Sequence, residues 1–394
     1  MSKIDKLLKE YCPHGVQNKK LYEIVKVQRG KRLVKSQLSD DYKYPVYHGG
    51  LEPLGYYNQS NRSADTVMII NVGASAGTVG YCKEDFWSSD GCFCLEHNED
   101  ILSKYLYYVL MTYEKDIKSR VRIAGIPTLD AQVIENINVP VPPLQVQQEI
   151  VNILDKFTEL ESELESELES RVLQYEYFRD KLLSFEDEST MQNVAKRHFA
   201  WLSESAELVK LISDVEKVEY KKIECIAEVG TGSSNGNESE DNGLYPFFIR
   251  SQTIKRKNSF EYDEEAIIIP GEGGIGEIFH YVDGKYALHQ RVYRIHFIDD
   301  IVNTKFMYYY MQSRFKEFIL KKAVSATVTS IRKPMIESFS VPIPPLSVQK
   351  EIVDILDKFS LYVTDLKVGL PAEIQLRRKQ YEYYRDKLLS FGEI

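Results

Sequence analysis

A run of glycines, Gly271-Glu272-Gly273-Gly274-Ile275-Gly276, fits the dinucleotide-binding pattern G-x-G-x-x-G. Such a turn holds a pyrophosphate when it follows a strand and opens a helix, because the helix N-terminus then faces the phosphates. A strand-like segment, residues 266–269, precedes the run, but residues 277–288 are rich in β-forming side chains and contain a second turn. We therefore predict a structural or DNA-facing glycine turn, and no cofactor in this chain.

Other catalytic chemistry is not indicated by the sequence. It contains no G-x-S-x-G, H-E-x-x-H or Walker motif. The histidines are scattered, and we expect His48, His280 and His289 to be ordinary buried or surface residues and not metal ligands. Five cysteines occur at irregular spacing without a C-x-x-C pair, which predicts reduced, mostly buried thiols and no metal site.

Lysine and arginine form local clusters that could contact DNA, since both bind phosphates and arginine also suits bidentate contact with guanine. The candidate DNA contacts are Arg29, Lys31, Arg32 and Lys35 in the first half, and Arg250, Lys255, Arg256, Lys257, Arg291 and Arg294 in the second. The segment from Arg250 to Lys257 is expected to fall before or within the region that corresponds to the first cluster. For each residue the alternative is an ordinary surface charge.

A formal net charge of −9 would ordinarily argue against a nucleic-acid partner, but this charge is not spread evenly along the chain. Residues 139–190 carry 4 basic and 13 acidic residues, and they include the tetrad Glu-Leu-Glu-Ser written three times at 159–170. The acidity therefore belongs to one segment and leaves the others free to bind DNA. The tetrads either form a solvated acidic face or meet Arg377, Arg378 and Lys379 of an antiparallel helix.

The whole chain is an internal duplication. Residues 139–157, VPVPPLQVQQEIVNILDKF, and residues 341–359, VPIPPLSVQKEIVDILDKF, are identical at 15 of 19 positions. Residues 174–185 and 380–391 are identical at 11 of 12 positions. Weaker traces of the repeat lie upstream, where Tyr44-Pro45 matches Tyr245-Pro246. Each half is thus a variable unit followed by a near-constant unit.

The near-constant units predict long amphipathic helices, because apolar residues recur there at spacings of three and four. The first helix is expected over residues 145–185, roughly 60 Å at ~1.5 Å per residue. The second starts near Ser347 and should kink or break at Gly369 and Pro371. The residues predicted for the helix and subunit interfaces are Ile150, Leu154, Leu160, Leu164, Leu168, Ile352 and Leu356.

The variable units, roughly 1–138 and 200–340, predict mixed α/β domains. Short strands are expected at 66–72 and 266–269, and helices near 102–118 and 304–322. The tyrosine groups on these helices, at 105, 107 and 108 and at 308–310, should pack in cores and not stack on bases. Residues 186–200 are a polar connector.

A length of 394 residues predicts two or three domains. No run of about 18 apolar residues occurs and the N-terminus is charged, so we expect a cytoplasmic protein with neither a membrane span nor a secretion signal.

The order of a variable unit, VPxPPLxxQxEIVxILDKF, a long helix and QYEYxRDKLLSF, followed by the same series again, resembles the specificity (S) subunit of type I restriction-modification systems. The resemblance covers the whole chain, and the Glu-Leu-Glu-Ser tetrads resemble four-residue repeats that members of this family carry in the central helix. It implies two α/β target-recognition domains, separated by two long conserved helices packed as an antiparallel coiled coil, in a pseudo-twofold internal repeat.

The same resemblance implies a non-catalytic subunit whose two domains each read one half of a bipartite, asymmetric site in double-stranded DNA. It implies two methyltransferase subunits as partners, which hold S-adenosylmethionine, and motor-nuclease subunits in the full complex. The corresponding domains are residues 1–140 and 187–342 for recognition, the latter including the connector, and 141–186 and 343–394 for the spacer helices. Two alternatives are a coiled-coil adaptor without DNA contact and a nucleotide-dependent enzyme that uses the glycine turn.

Overall fold

The computed structural model describes residues 3–185, 218–322, 330–364 and 369–391. The predicted connector, residues 186–200, lies outside these ranges. The chain forms two compact units, Met1–Glu165 with Glu373–Ile394, and Ser166–Ala372. We call them unit one and unit two.

The strands and short helices of unit one form an α/β domain built on two sheets. Its strands are β1 (Asn18–Lys20), β2 (Val25–Arg29), β3 (Tyr44–Tyr47), β4 (Tyr56–Tyr57), β5 (Thr66–Ile70), β6 (Val79–Cys82), β7 (Trp87–Ser88), β8 (Cys92–His97) and β9 (Asn138–Pro140). Its domain helices are α1 (Lys3–Tyr11), α2 (Leu21–Ile24), α3 (Ser103–Ser119) and α4 (Ala131–Glu135). The sheets have the strand orders β2-β8-β5-β6 and β4-β3-β7, and β1 pairs with β9 where the chain enters and leaves the domain.

Unit two repeats this plan with longer strands. Its strands are β10 (Glu219–Lys222), β11 (Ala227–Thr231), β12 (Tyr245–Phe248), β13 (Lys255–Lys257), β14 (Tyr262–Pro270), β15 (His280–Leu288), β16 (Val292–Phe297) and β17 (Ser340–Ile343). Its helices are α6 (Thr304–Lys322), α7 (Lys333–Glu337) and α8 (Leu346–Thr364). One sheet has the order β11-β16-β14-β15-β12-β13, and β10 pairs with β17 as β1 does with β9.

The weak upstream trace of the repeat is confirmed by strand pairing. Strand β3, which begins at Tyr44-Pro45, pairs in parallel with β7, with Val46 opposite Trp87. Strand β12, which begins at Tyr245-Pro246, pairs in parallel with β15, with Phe247 opposite Ala287. A parallel neighbour among otherwise antiparallel strands requires the same crossover in both units.

Two near-constant helices follow the domains. The helix α5 (Leu144–Leu182) has 39 residues and spans about 58 Å at ~1.5 Å per residue, close to the prediction. Its counterpart is divided, as predicted, into α8 and α9 (Leu370–Leu389). At Gly369, φ is +90° and a Cβ atom would lie 2.3 Å from the carbonyl oxygen of Tyr362, so this position requires glycine. Pro371 then falls in the first turn of α9, where no backbone hydrogen bond is lost.

The central strands β5 and β14 are buried on both faces over their apolar residues, which explains their unbroken apolar runs. In β5, Val67 and Ile69 pack with α3 and with Ile150 and Leu154 of α5, while Met68 and Ile70 face a smaller cluster around Phe86. In β14, Ile267 and Ile269 pack with α6 and with Ile352 and Leu356 of α8. The predicted core role of the tyrosine groups is confirmed, since Tyr105, Tyr108, Tyr309 and Tyr310 are buried.

The two units bring helix segments together in different ways. In unit one, the ring of Phe157 on α5 stacks on Tyr384 of α9 at 5.5 Å, and Arg378 of α9 binds Glu161 and Glu165. The residue numbers rise along one helix as they fall along the other, so the pair is antiparallel. In unit two, Tyr175 of α5 stacks on Phe359 of α8 at 6.4 Å.

Candidate nucleic-acid interface

The basic cluster of the first half lies on a segment that leaves the sheet at the end of β2. Gly30 has no room for a side chain, since a Cβ atom would lie 2.2 Å from the carbonyl oxygen of Ser89. The amide of Lys31 donates to the carbonyl of Ser88 at 2.9 Å, and the indole of Trp87 donates to the carbonyl of Lys31 at 2.7 Å. These contacts fix the backbone and leave the Lys31 side chain exposed.

The following residues line an open cavity of about 470 Å³, which we call the basic cavity. Its lining includes Arg29, Arg32 and Lys35, all exposed, together with His48 and Asp90. The guanidinium of Arg29 donates to the backbone carbonyl of Asp90 at 3.0 Å, which leaves the guanidinium charge unneutralised by that bond. Three cations around one concave surface suit a phosphate backbone.

The cations of the second half are more engaged with their own unit. Arg250 and Arg291 both bind the carboxylate of Glu272, at 2.8 and 3.1 Å, and remain substantially exposed. The hydrogen bond from Arg291 has the largest effect on the pKa of Glu272, followed by the one from Arg250, and both hold this pKa below its usual range. Two cations share one anion, so this cluster keeps a net positive charge. Lys255 is exposed on β13 and donates to the hydroxyl of Ser239 at 3.3 Å.

Three residues predicted to contact DNA already form hydrogen bonds or ion pairs within unit two. Arg256 donates to the carbonyls of Gly243 and Leu244 at 2.6 and 2.7 Å. Lys257 binds Glu238 at 2.6 Å and the Ser234 hydroxyl at 2.8 Å.

Arg294 is the most enclosed of the three. Its side chain is 13% exposed, binds Glu264 at 2.9 Å and Glu228 at 3.3 Å, and lies over the ring of Tyr262 at 4.7 Å. A contact of Arg256, Lys257 or Arg294 with DNA stays a prediction, and it would require these bonds to open.

The expected correspondence between the two basic clusters is wrong. Strand β2 with Arg29 at its end matches β11, because each pairs antiparallel with the strand that precedes the large helix. The segment from Arg250 to Lys257 instead follows β12, so it matches the segment between β3 and β4. Clusters of similar composition are therefore carried by different segments of the repeated frame in the two domains.

The glycine turn is a hairpin loop between β14 and β15, and the residues after Gly276 lead into a strand and not into a helix. Gly276 has φ +67° and a Cβ atom there would lie 3.0 Å from Cα of Lys316 on α6. In unit one, Gly77 has φ +90° and the same close approach to Lys118 of α3. The structural part of the prediction is confirmed, because glycine lets each loop lie against the large helix. A DNA-facing role of the turn stays a prediction.

The interface residues predicted on the helices fall into two groups. Ile150 and Leu154 are buried in the core of unit one, Ile352 and Leu356 in that of unit two, and Leu168 is half-buried against the latter. Leu164 is half-buried and Leu160 is 48% exposed, so Leu160 contributes little to the core of its own unit. Their part in an interface with other subunits stays a prediction.

Sequence reasoning missed a joint that attaches each domain to its helix. The buried Gln147 amide donates to the carbonyls of Asp100 and Pro142 and accepts from the amide of Leu102, at 2.7–2.8 Å. Gln349 makes the equivalent three bonds, to Ile301, Pro344 and Asn303. Both glutamines were present in the near-constant segments, and only their burial shows the role.

A second duplicated contact joins the large helix of each domain to the near-constant helix. Asp155 of α5 accepts from the hydroxyl of Tyr108 and pairs with Lys104 at 3.2 Å. Asp357 of α8 accepts from Tyr309 at 2.5 Å and pairs with Lys305 at 2.6 Å. Burial has the largest effect on the pKa of Tyr108 and of Tyr309, and the hydrogen-bonded aspartate has the next largest. Both effects raise the pKa, so the two tyrosines remain neutral hydrogen-bond donors.

Two separate matches identify the family. The protein-family model of the type I restriction modification DNA specificity domain matches residues 13–174 and again residues 215–376. The chain belongs to this specificity-subunit family. A specificity subunit of a type I restriction-modification system recognises DNA and acts with other subunits, so the predicted non-catalytic DNA-recognition subunit is confirmed.

Relatives of this family match most or nearly all of the chain. The type I restriction enzyme EcoR124I/EcoR124II specificity subunit of Escherichia coli is 30% identical and spans 99% of this chain and 97% of its own length. A putative type I specificity subunit of Mycoplasma pneumoniae is 32% identical over 80% of this chain and 90% of its own. The crystal structure of the S subunit from M. genitalium has a TM-score of 0.56 at 17% identity and covers 95% of both chains, which supports the fold.

The cysteines and histidines of this specificity subunit have the environments expected of ordinary residues. Cys12, Cys82, Cys92 and Cys94 are buried free thiols and Cys225 is exposed, which confirms mostly buried thiols. Burial lowers the pKa of His280 and of His289, as expected for ordinary buried histidines. Across the described ranges no group of three or more His, Cys, Asp or Glu could hold a metal ion. No helix within those ranges is long and apolar enough to span a membrane.

Proposed function

We propose that the domain of each unit reads one half of a bipartite, asymmetric site in double-stranded DNA. The observation that carries this proposal is the contrast within one repeated frame. The joints at Gln147 and Gln349 are alike, whereas the exposed cations come from different segments of the two domains. A joint that stays the same suits a partner common to both halves, and surfaces that differ suit two different DNA sequences.

In the first domain, Arg29, Arg32 and Lys35 of the basic cavity bind phosphates or base edges, with Lys31 beside them. In the second domain, Arg250, Arg291 and Lys255 have the same role. Arg250 and Arg291 pair with the single carboxylate of Glu272 and remain exposed, so their charge is not cancelled. Phosphate contacts fix the register of each domain, and base contacts select the sequence.

The near-constant helices set the distance between the half-sites and carry two methyltransferase subunits, which hold S-adenosylmethionine. Motor-nuclease subunits join these for cleavage. The proposed role of the helices is supported by the length of α5 and by the duplicated residues that attach a domain to it. DNA recognition by this chain requires no cofactor, since it needs only hydrogen bonds and charge.

Base-resolved methylation mapping tests this function directly. DNA is compared between cells that carry this gene with its neighbouring methyltransferase gene and cells that lack only this gene. We expect a bipartite motif that disappears with the gene. If no motif depends on the gene, the two domains do not read a bipartite site, and the acidic tetrads become the feature that needs an explanation.

A further inference from the structure

The loop between α3 and α4 of unit one presents two apolar side chains to solvent. Ile123 is 80% exposed and Ile126 is 71% exposed, the two highest values among large apolar residues of the described ranges. We call residues 122–128 the tip loop. Within the described ranges, neither isoleucine is covered by another part of the chain. Large apolar side chains that are exposed together often mark a contact surface for another molecule.

The tip loop is held in a fixed shape. Arg122 and Thr128 exchange two backbone hydrogen bonds, of 2.9 and 3.0 Å, across its base. Gly125 at the turn has φ +83°, a conformation that favours glycine, and the hydroxyl of Thr128 donates to the carbonyl of Ile126 at 2.9 Å. The isoleucines are thus presented by a closed turn, which reduces the ordering entropy that a contact would cost.

The base of the loop adjoins the basic cavity. Val72, which lines that cavity, forms a backbone bridge with Thr128, and the amide of Gly73 donates to the carbonyl of Pro127 at 2.9 Å. Asp90 is the one acidic residue among the described residues that line the cavity, beside Arg29, Arg32 and Lys35, and Asp130 at the base of the loop pairs with Arg122 at 2.8 Å. An apolar apex therefore lies next to a surface with a net positive charge.

This juxtaposition favours DNA over a protein as the occupant. Cations that bind the phosphates can bring an adjacent apolar side chain close to the stacked bases. Isoleucine is among the residues that insert between base steps in known protein–DNA complexes. We propose that the tip loop inserts Ile123 and Ile126 against a base step of the half-site that the first domain reads. The inference rests on the proposed function and adds an apolar wedge to its charged contacts.

The test uses the chain assembled with its methyltransferase subunits and a duplex that carries the mapped site. 2-Aminopurine is placed in turn at each step of the half-site assigned to the first domain, and its fluorescence reports unstacking. The variant is the double substitution Ile123→Ser and Ile126→Ser. The control is Tyr22→Ser, because Tyr22 is 59% exposed on α2 of the same unit and does not line the basic cavity.

With the wild-type chain and the control we expect enhanced fluorescence at one step. With the double variant we expect that enhancement to disappear and the affinity for the site to fall about ten-fold or more. The salt dependence of binding should stay unchanged, because the phosphate contacts remain in place.

Retained fluorescence and affinity in the double variant would overturn the wedge while leaving the proposed function intact. Loss of assembly with the methyltransferase, with DNA affinity per assembled complex unchanged, would also overturn it and identify the tip as a protein contact. Absence of sequence-dependent binding by the wild-type complex would overturn the proposed function itself, and the wedge with it.

Discussion

Arginine and lysine side chains of this chain divide according to what they already bind. Arg32 and Lys35 line an open cavity and bind no carboxylate within the described ranges, whereas Arg294 is enclosed between two glutamates and a tyrosine ring. A cation in the first state can gain a phosphate at little cost. A cation in the second state stabilises its own domain, because removing it leaves an enclosed carboxylate without its arginine.

The open cations predict a weakening of DNA binding that does not depend on sequence. Replacing Arg32 and Lys35 by alanine should weaken binding of the assembled complex to all duplexes by a similar factor. The slope of log K against log salt should also decrease by about 0.9 for each phosphate that is no longer neutralised. Titrations at several salt concentrations measure both effects. Lys9→Ala, at an exposed position of α1, is the control, and an unchanged slope in the double variant would contradict the assignment.

The enclosed cation predicts a loss of stability instead. Arg294→Ala should lower the free energy of unfolding of unit two by about 3 kcal/mol, since the enclosed Glu264 loses its arginine and keeps the hydrogen bond from the Tyr286 hydroxyl. Arg291→Ala, which breaks an exposed pair with Glu272, should cost less than about 1 kcal/mol. Denaturant unfolding of both variants gives the comparison. Equal stability of the two would show that the Arg294 pair contributes nothing beyond a surface pair.

At the scale of elements, helix α5 combines a variable and a fixed part. Its ends are fixed by buried groups, with Ile150 and Leu154 in one core and Tyr175 and Phe178 in the other. The tetrads between them carry the glutamates, of which half-buried Glu161 and exposed Glu165 bind Arg378 of α9. This contact favours the paired alternative over a wholly solvated acidic face. Arg377, the other arginine considered, pairs with Glu373 of its own helix.

A deletion of one tetrad should change spacing and not sequence preference. Removing residues 163–166 shortens the helix by roughly 6 Å and keeps its apolar stripe nearly in phase, because four residues make about one turn. At ~3.4 Å per base pair, the gap between the two half-sites should shrink by one or two base pairs.

Methylation mapping of the deletion strain measures the gap. A length-preserving control with Glu163→Gln and Glu165→Gln should keep the original motif. An unaltered gap in the deletion strain would remove the spacer role from α5.

At the scale of the whole molecule, the chain presents one frame twice with two different surfaces. The β1–β9 and β10–β17 pairs close each domain through backbone bonds, which do not depend on side-chain identity. Replacing a domain between such closures therefore leaves its attachment to the helix intact. This arrangement explains how two surfaces can diverge while their joints remain alike.

An exchange of domains should consequently change half of the motif. Replacing residues 1–138 by the matching segment of another specificity subunit should alter one half-site and leave the other half-site and the gap unchanged. The reciprocal exchange of the second domain should do the reverse. Mapping both strains separates the halves, and a change in both half-sites after either exchange would show that the domains do not read independently.

The sequence by itself determined the features that depend on local pattern and on comparison of the chain with itself. The duplication, the helix that begins after Pro143 and the break at Gly369 all follow from spacing, conformational limits of proline and glycine, and internal identity. The strand that follows Gly276, in place of a helix, was also evident from the residues there.

Only the tertiary structure decided what each side chain meets. Arg256 and Arg250 look equivalent in the sequence, yet one binds backbone carbonyls and the other is half-exposed beside Glu272. The partners lie from 12 to 22 residues away, and the bridge that sets the tip loop beside the basic cavity joins Val72 to Thr128. Such contacts depend on how strands are ordered in a sheet, which periodicity does not encode.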